Sequence, residues 1–188
     1  MTASTNEIRV GMKVEVDREP WLIVNNEFVK PGKGQAFNRI KMKNMITGRM
    51  VERTYKSGEK LELADIAEYQ MRFLYQDGDS AVFMDEKTFD QVTVGPEIIN
   101  PMKQWLMEEV IYQVVIYKGS VIEVAPPTFL DMLVTETTPG VRGDTSGRVL
   151  KAATTSTGAK IQIPIFIDEG EKIRVDTRTG EYAARAND

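Results

Sequence analysis

Histidine and cysteine are both absent from this 188-residue chain. Without cysteine, the protein can form neither a disulfide framework nor a thiolate metal site. Without histidine, it lacks the side chain that serves most often as a general base and as a metal ligand. We therefore expect neither a bound metal nor a cofactor.

Long hydrophobic runs are also absent. No apolar stretch reaches the roughly 18 residues that a transmembrane helix requires, so we expect no membrane association. Residues 1–7 carry neither the basic nor the apolar segment of a secretory signal. These absences predict a cytoplasmic protein.

The chain does contain a succession of short strand patterns. Apolar and polar residues alternate at 12–16, 69–75 and 110–116, and Asp77-Gly78 is a strong hairpin-turn signal. Strands with turns about every 8–12 residues predict an all-β protein made of small barrels.

One segment, 96–109, has the spacing of a helix. Pro101 lies inside it, and a proline in a helix interior removes a backbone hydrogen bond. We therefore expect only short helical turns or a late start in this segment.

Three domains are predicted, with boundaries at 1–65, 66–127 and 128–188. The paired prolines Pro126-Pro127 favour a stiff connection before the last domain. Each of the last two domains has about 60 residues, which is the size of an OB-type barrel.

The most distinctive local feature is a single lysine between two glycines, in the segment 30–37. The apolar stretch 21–24 precedes it and an alternating stretch follows it, which predicts two strands joined by a loop. With about four residues of roughly 3.3 Å in each arm, the tip would project on the order of 13 Å. Gly32 and Gly34 permit the positive φ values of a tight tip, and Lys33 would stand at its apex.

This loop has two alternative interpretations. An ordinary hairpin turn with a solubilising lysine remains open, since Gly, Pro and Lys are common at loop tips. A phosphate-binding P-loop is excluded, because Gly34 is not followed by Lys and Ser or Thr at the start of a helix.

Positive charge is concentrated around the loop, although the chain has a net charge of -4. Residues 29–57 contain eight basic side chains and one acid, Glu52, whereas residues 66–127 contain 4 basic and 10 acidic side chains. Such a local field attracts phosphates, and the acidic remainder limits indiscriminate binding. Arg39, Lys41 and Lys43 are candidate contacts to nucleic-acid phosphates. The alternative is a strand that simply exposes its lysines to solvent.

Motifs along the whole chain resemble those of the bacterial elongation factor P family. They lie at residues 30–37, 47–49, 55–58, 140–145, 151–153, 158–170 and 175–182. Ile163 stands where the family usually has valine, and residues 147–150 replace a glycine-rich stretch of many relatives. The motifs follow the family's order from one end of the chain to the other.

The resemblance implies three β-barrel domains, an N-terminal SH3-like (KOW-type) barrel and two OB-fold barrels, in an L-shaped arrangement that mimics tRNA. It implies a monomeric, non-catalytic translation factor that contacts both ribosomal subunits beside the P-site peptidyl-tRNA. Such a factor stimulates peptide-bond formation and relieves stalling at consecutive prolines.

The resemblance also implies roles for particular residues. Lys33 matches the modified position, which a synthetase-like enzyme extends with a β-lysyl group and which is also hydroxylated. The loop expected to contact peptidyl-tRNA comprises Lys30, Pro31, Gly32, Lys33 and Gly34. A second loop, with Gly143, Asp144 and Thr145, is expected to contact messenger RNA in the exit site; an Asx-type turn is its alternative interpretation.

Three other functions were considered. An elongation factor P-like paralogue with different clients remains open, as does a generic OB-fold RNA-binding protein, although the acidic second domain argues against the latter. An enzyme with Lys33 as a Schiff-base amine is disfavoured, because catalytic lysines sit in desolvated pockets rather than at glycine-flanked tips.

Overall fold

The computed structural model describes residues 1–139 and 149–186 of the chain. Within these ranges the protein forms sixteen strands in three sheets, which confirms the predicted all-β class. The chain divides into two compact units, one of Met1–Tyr69 with Val114–Glu123 and one of Gln70–Gln113 with Val124–Asp188. No helix in the described ranges has the length and apolarity needed to cross a membrane.

The first sheet contains six strands. They are β1 (Thr2–Ser4), β2 (Lys13–Val16), β3 (Glu19–Val29), β4 (Phe37–Asn44), β5 (Met50–Lys56) and β6 (Lys60–Leu63). Their order is β1-β6-β2-β3-β4-β5, and neighbouring strands are antiparallel. Trp21 is 1% exposed at the centre of the core, and its indole Nε1 donates a hydrogen bond to the Val16 carbonyl at 3.1 Å.

The second and third sheets share one topology. The second contains β7 (Ile66–Asp77), β8 (Ser80–Asp85), β9 (Gln91–Val94), β10 (Ile111–Tyr117) and β11 (Ser120–Ala125). The third contains β12 (Phe129–Thr137), β13 (Leu150–Thr155), β14 (Lys160–Pro164), β15 (Lys172–Asp176) and β16 (Glu181–Arg185). In both, the first strand lies at the centre between the second and the fourth strands. This is the five-stranded arrangement expected of an OB-type barrel.

A short helical segment connects β9 to β10. It consists of α1 (Pro96–Ile99) and a 3₁₀ helix (Asn100–Trp105), so it ends earlier than the predicted limit of residue 109. The Tyr112 hydroxyl donates to the Trp105 carbonyl at 2.6 Å and accepts from the Met107 backbone N–H at 2.8 Å. Burial raises the pKa of Tyr112 to about 12. The tyrosine thereby holds the end of the helical segment in place.

The turn between β10 and β11 belongs to the first unit, where it contacts Glu15 of β2. Lys118 lies 2.9 Å from the Glu15 carboxylate, and the Tyr117 hydroxyl donates to Glu15 Oε2 at 2.7 Å. These two hydrogen bonds, chiefly that of Lys118, lower the pKa of the Glu15 carboxyl. The contact joins residues more than a hundred positions apart, and nothing in the local sequence pattern predicts it.

Candidate functional site: the lysine hairpin

Lys33 lies in the loop of a long hairpin formed by β3 and β4. The two strands pair from Trp21 opposite Asn44 to Val29 opposite Phe37, which leaves residues 30–36 as the loop. The arms contain 11 and 8 residues, so the predicted arms of about four residues were too short. The apolar pattern of the N-terminal arm ends at residue 24, but strand pairing continues through the polar residues Asn25, Asn26 and Glu27. Lys33 is exposed in this loop.

The two glycines beside Lys33 differ in conformation. Gly34 has a φ of +121°, and a Cβ atom added to it would lie 3.6 Å from Pro31 Cγ. Gly32 does not have a positive φ, and a Cβ atom there would meet nothing within 4 Å. The prediction of positive φ is therefore correct for Gly34 and wrong for Gly32, because only the residue after Lys33 adopts the conformation that favours glycine.

The side chains of β4 alternate strictly between the core and the solvent. Asn38, Ile40, Met42 and Asn44 are buried, and the residues between them are exposed. Arg39, Lys41 and Lys43 therefore share one exposed face of the hairpin, which the sequence alone left undetermined. We call this the basic face. Their proposed contacts to phosphate stay a prediction.

The charge on the basic face is partly compensated. Arg39 lies between Glu27 on β3 and Glu52 on β5, at 3.6 Å and 3.5 Å. Glu27 falls just outside the basic stretch of the sequence, and strand pairing places it opposite Arg39. Lys41 and Lys43 form no ion pair with any residue in the described part of the chain. They are therefore the free cations of this face.

A network of side-chain amides, buried at Asn38 and half-buried at Asn26, holds the two arms of the hairpin. Asn26 Nδ2 donates to the carbonyls of Thr5 and Ile8, at 2.9 Å and 3.0 Å, and Asn38 Nδ2 donates to Asn26 Oδ1 at 3.0 Å. Both arms are thereby tied to the segment after β1. Sequence reasoning missed this network, although Asn38 at an otherwise apolar position of β4 was its signal, since buried polar groups require partners.

The loop offers binding groups. A lysine ammonium is a compact charge with three hydrogen-bond donors on a flexible stem. Lys30 and Lys33 are both exposed, and neither forms an ion pair with the residues that the structure describes. Among those residues, no group of three or more potential metal ligands is assembled. The hairpin can therefore contribute charge, hydrogen bonds and reach to a partner.

The second predicted loop belongs to a later part of the sequence. Gly143, Asp144 and Thr145 fall outside the described residues. In the described part beside them, the Lys151 side chain is buried, donates to the Thr138 carbonyl at 2.7 Å and lies 3.9 Å from Asp168. The predicted contact of the second loop with messenger RNA stays a prediction.

Comparison with protein families assigns all three parts of the chain. Residues 4–61 match the elongation factor P (EF-P) KOW-like domain, residues 66–124 the EF-P OB domain, and residues 130–185 the C-terminal domain of elongation factor P.

Similar proteins cover nearly the whole chain. Elongation factor P 2 of Protochlamydia amoebophila (strain UWE25) is 60% identical over 185 residues, which are 98% of this chain and 97% of that protein. Elongation factor P 2 of Chlamydia trachomatis serovar D is 57% identical with the same coverage.

A solved structure shares part of the fold. Eukaryotic translation initiation factor 5A from Methanococcus jannaschii superimposes with a TM-score of 0.54 and 22% identity, over 66% of this chain and 95% of that one. The full-length identity and the three domain matches together show that the chain belongs to the elongation factor P family, whose members are translation factors and not catalytic enzymes.

Proposed function

We propose that this protein binds the ribosome beside peptidyl-tRNA and stimulates peptide-bond formation when consecutive prolines slow it. The observation that carries the proposal is the exposed Lys33 in the loop of a hairpin whose arms are tied by hydrogen bonds to the segment after β1. The family membership supplies the general role in translation elongation. The contact with both ribosomal subunits follows from the resemblance described above.

The proposed mechanism is one of alignment. Proline is a poor nucleophile in a cramped geometry, so the positions of the two reacting ends govern the rate. A cation at a rigid tip can donate hydrogen bonds to the backbone of the tRNA acceptor end and restrict its motion. This would lower the entropic part of the barrier without an acid or base from the protein.

Modification of Lys33 is part of this proposal. A synthetase-like enzyme would attach a β-lysyl group, and hydroxylation would add a further polar group. Extension of the side chain would increase its reach and its number of donors. The exposure of Lys30, Gly32, Lys33 and Gly34 supports access by such an enzyme.

The remaining proposals concern the whole chain. The domains would be residues 1–65, 66–127 and 128–188, arranged as a monomeric, L-shaped mimic of tRNA in the cytoplasm. The second loop, at Gly143, Asp144 and Thr145, would contact messenger RNA in the exit site. The matched family domains at 4–61, 66–124 and 130–185 support the domain division.

The test is reconstituted translation of a template with consecutive prolines. Protein purified from its native host should accelerate synthesis, and Lys33→Ala should abolish the acceleration. The matched control is Lys87→Ala, which removes an exposed lysine outside both predicted loops and the basic face. Circular dichroism should be unchanged for both variants, because an exposed side chain contributes little burial.

Three results would count against the proposal in different ways. Equal acceleration by Lys33→Ala would move the active element from the tip to the barrels. Unfolding of Lys33→Ala would contradict the exposed, weakly packed position of Lys33 on which the proposal rests. Acceleration only on templates without consecutive prolines would favour a paralogue with different clients, a reading that the relatives named elongation factor P 2 keep open.

A further inference from the structure

The lysine hairpin has a second face, opposite the basic face. Phe28 pairs directly with Asn38 across the hairpin, so its side chain lies on the same side as Asn38 and Asn26. A cleft of ≈ 550 Å³ opens here, between β3, β4 and the segment after β1. We call it the amide cleft. Its volume falls within the range of small-molecule sites.

The lining of the amide cleft is mostly polar and uncharged. It comprises Thr5, Asn6, Asn26, Asn38 and Ser57, together with Ile8, Arg9, Val10 and Phe28. Asn38 is 2% exposed, and its Oδ1 atom accepts no hydrogen bond from any residue that the structure describes. A donor that enters the deepest part of the cleft would satisfy this buried oxygen.

Two side chains at the cleft point to the class of ligand. Phe28 is 55% exposed, although an aromatic ring on a strand is ordinarily a core residue. Arg9 forms no ion pair with the described residues, and no acidic side chain lines the cleft. An exposed ring, the unpaired Oδ1 acceptor of Asn38 and the guanidinium of Arg9 match a base, a donor on the base edge and a phosphate respectively.

A protein segment would fit this cleft less well. Among the residues that line the cleft, only Phe28 and Val10 expose apolar surface, because Ile8 is 2% exposed. Protein interfaces place a contiguous apolar cluster at their centre, which the polar lining does not provide. The observations therefore favour a nucleotide.

We infer that the amide cleft binds one unpaired nucleotide of RNA, with the base stacked on Phe28 and the phosphate at Arg9. The inference deepens the proposed function and rests on it, since Phe28 lies five residues before Lys33 on the same hairpin. The cleft would grip a nucleotide near the RNA that the tip contacts, and would thereby fix the approach of the tip.

Photocrosslinking tests which partner occupies the cleft. The full-length protein carries a benzoyl-phenylalanine photoprobe at position 28 and is bound to ribosomes with peptidyl-tRNA. A probe at Phe89, which is 69% exposed in the second unit, is the matched control. Position 28 should crosslink to an unpaired RNA nucleotide, and position 89 should not crosslink to that nucleotide. A crosslink from position 28 to protein alone, or no crosslink, overturns the inference.

Substitution tests the stacking itself. Phe28→Leu keeps an apolar side chain and should weaken binding to the loaded ribosome by roughly fivefold to a hundredfold, the range measured for loss of a stacked base. Phe28→Tyr keeps the ring and should bind as the unsubstituted protein does. Equal binding by Phe28→Leu overturns the inference, as does equal weakening by both variants.

The two proposals can fail separately. If the protein accelerates proline-containing synthesis but position 28 gives no RNA crosslink, the nucleotide site is overturned and the proposed function stands. An RNA crosslink from position 28 in a protein that does not accelerate such synthesis would retain the nucleotide site and remove the function.

Discussion

At the tip of the lysine hairpin, Gly34 has a backbone conformation that residues with a side chain rarely adopt. Its φ of +121° lies in the region that only glycine enters readily, and Pro31 lies close to where a Cβ atom would be. Gly32 lies in open space with an ordinary φ. Two glycines at equal distance from Lys33 therefore have unequal structural roles.

This difference predicts unequal effects of substitution. Gly34→Ala should lower the free energy of local opening of the hairpin by about 1–3 kcal/mol, the cost of a strained backbone position. Gly32→Ala should change it by less than about 0.5 kcal/mol. Amide hydrogen exchange at the Val29–Phe37 end of the hairpin measures both values. A larger effect of Gly32→Ala than of Gly34→Ala would contradict the loop geometry.

The second sheet depends on a tyrosine that supports the helical segment. The Tyr112 hydroxyl is bonded to Trp105 and Met107, and the ring packs against Phe73 and Phe83 with centroids 6.4 Å and 5.6 Å apart. The 3₁₀ helix ends at Trp105, so the Trp105 carbonyl has no partner within the helix. The hydroxyl supplies that partner.

Removal of this hydroxyl should destabilise the protein in a pH-dependent way. Tyr112→Phe leaves the buried Trp105 carbonyl and the partly buried Met107 N–H unpaired and should cost about 1–3 kcal/mol at neutral pH. The pKa of Tyr112 is about 12 in the fold, against an ordinary tyrosine pKa of 10.0, so the unfolded chain ionises first as the pH rises. The contribution of Tyr112 to stability is therefore complete below about pH 10 and is lost progressively above it.

Urea unfolding of both proteins at about pH 9 and about pH 11 measures this effect. The difference in free energy between the unsubstituted protein and Tyr112→Phe should shrink at the higher pH, because only the former loses the contribution of Tyr112. Other tyrosines titrate in both proteins and cancel in the comparison. A difference that stays constant would show that the hydroxyl is not responsible.

At the scale of the whole molecule, the proposed attraction to RNA depends on where the charges lie rather than on the net charge. The chain has a net charge of -4, yet Lys41 and Lys43 on the basic face form no ion pair with the residues that the structure describes. Arg39 and Arg53 are held by acids, Arg53 with Asp17 at 2.5 Å. The proposed electrostatic attraction to RNA therefore rests on fewer cations than the eight counted along the sequence.

This reduced set of cations predicts the salt dependence of ribosome binding. The double variant Lys41→Gln/Lys43→Gln should reduce the slope of log affinity against log salt concentration by about one for each lost phosphate contact. The control is Lys87→Gln, an exposed lysine of the acidic middle region. Titrations at several salt concentrations give both slopes. Equal slopes for the double variant and the unsubstituted protein would exclude phosphate contacts by this face.

Several features could be predicted because their causes are local. The alternation of β4 shows in the sequence as apolar Ile40 and Met42 between charged residues, and the hairpin loop shows as one proline and two glycines around Lys33. Pro101 likewise predicted short helical turns, because its missing N–H removes a backbone hydrogen bond. Steric limits and side-chain periodicity act within a few residues, so a single chain reveals them.

Other features depended on which strands meet. The sequence by itself determined the all-β class, the exposed Lys33 and the order of the strands along the chain. Only the tertiary structure decided that Glu27 and Glu52 flank Arg39, that Asn26 and Asn38 tie the hairpin to the segment after β1, and that a cleft opens beside Phe28. These contacts follow from strand register, including the irregularity between Ile23 and Asn25, and a shift of one residue would turn each side chain to the opposite face.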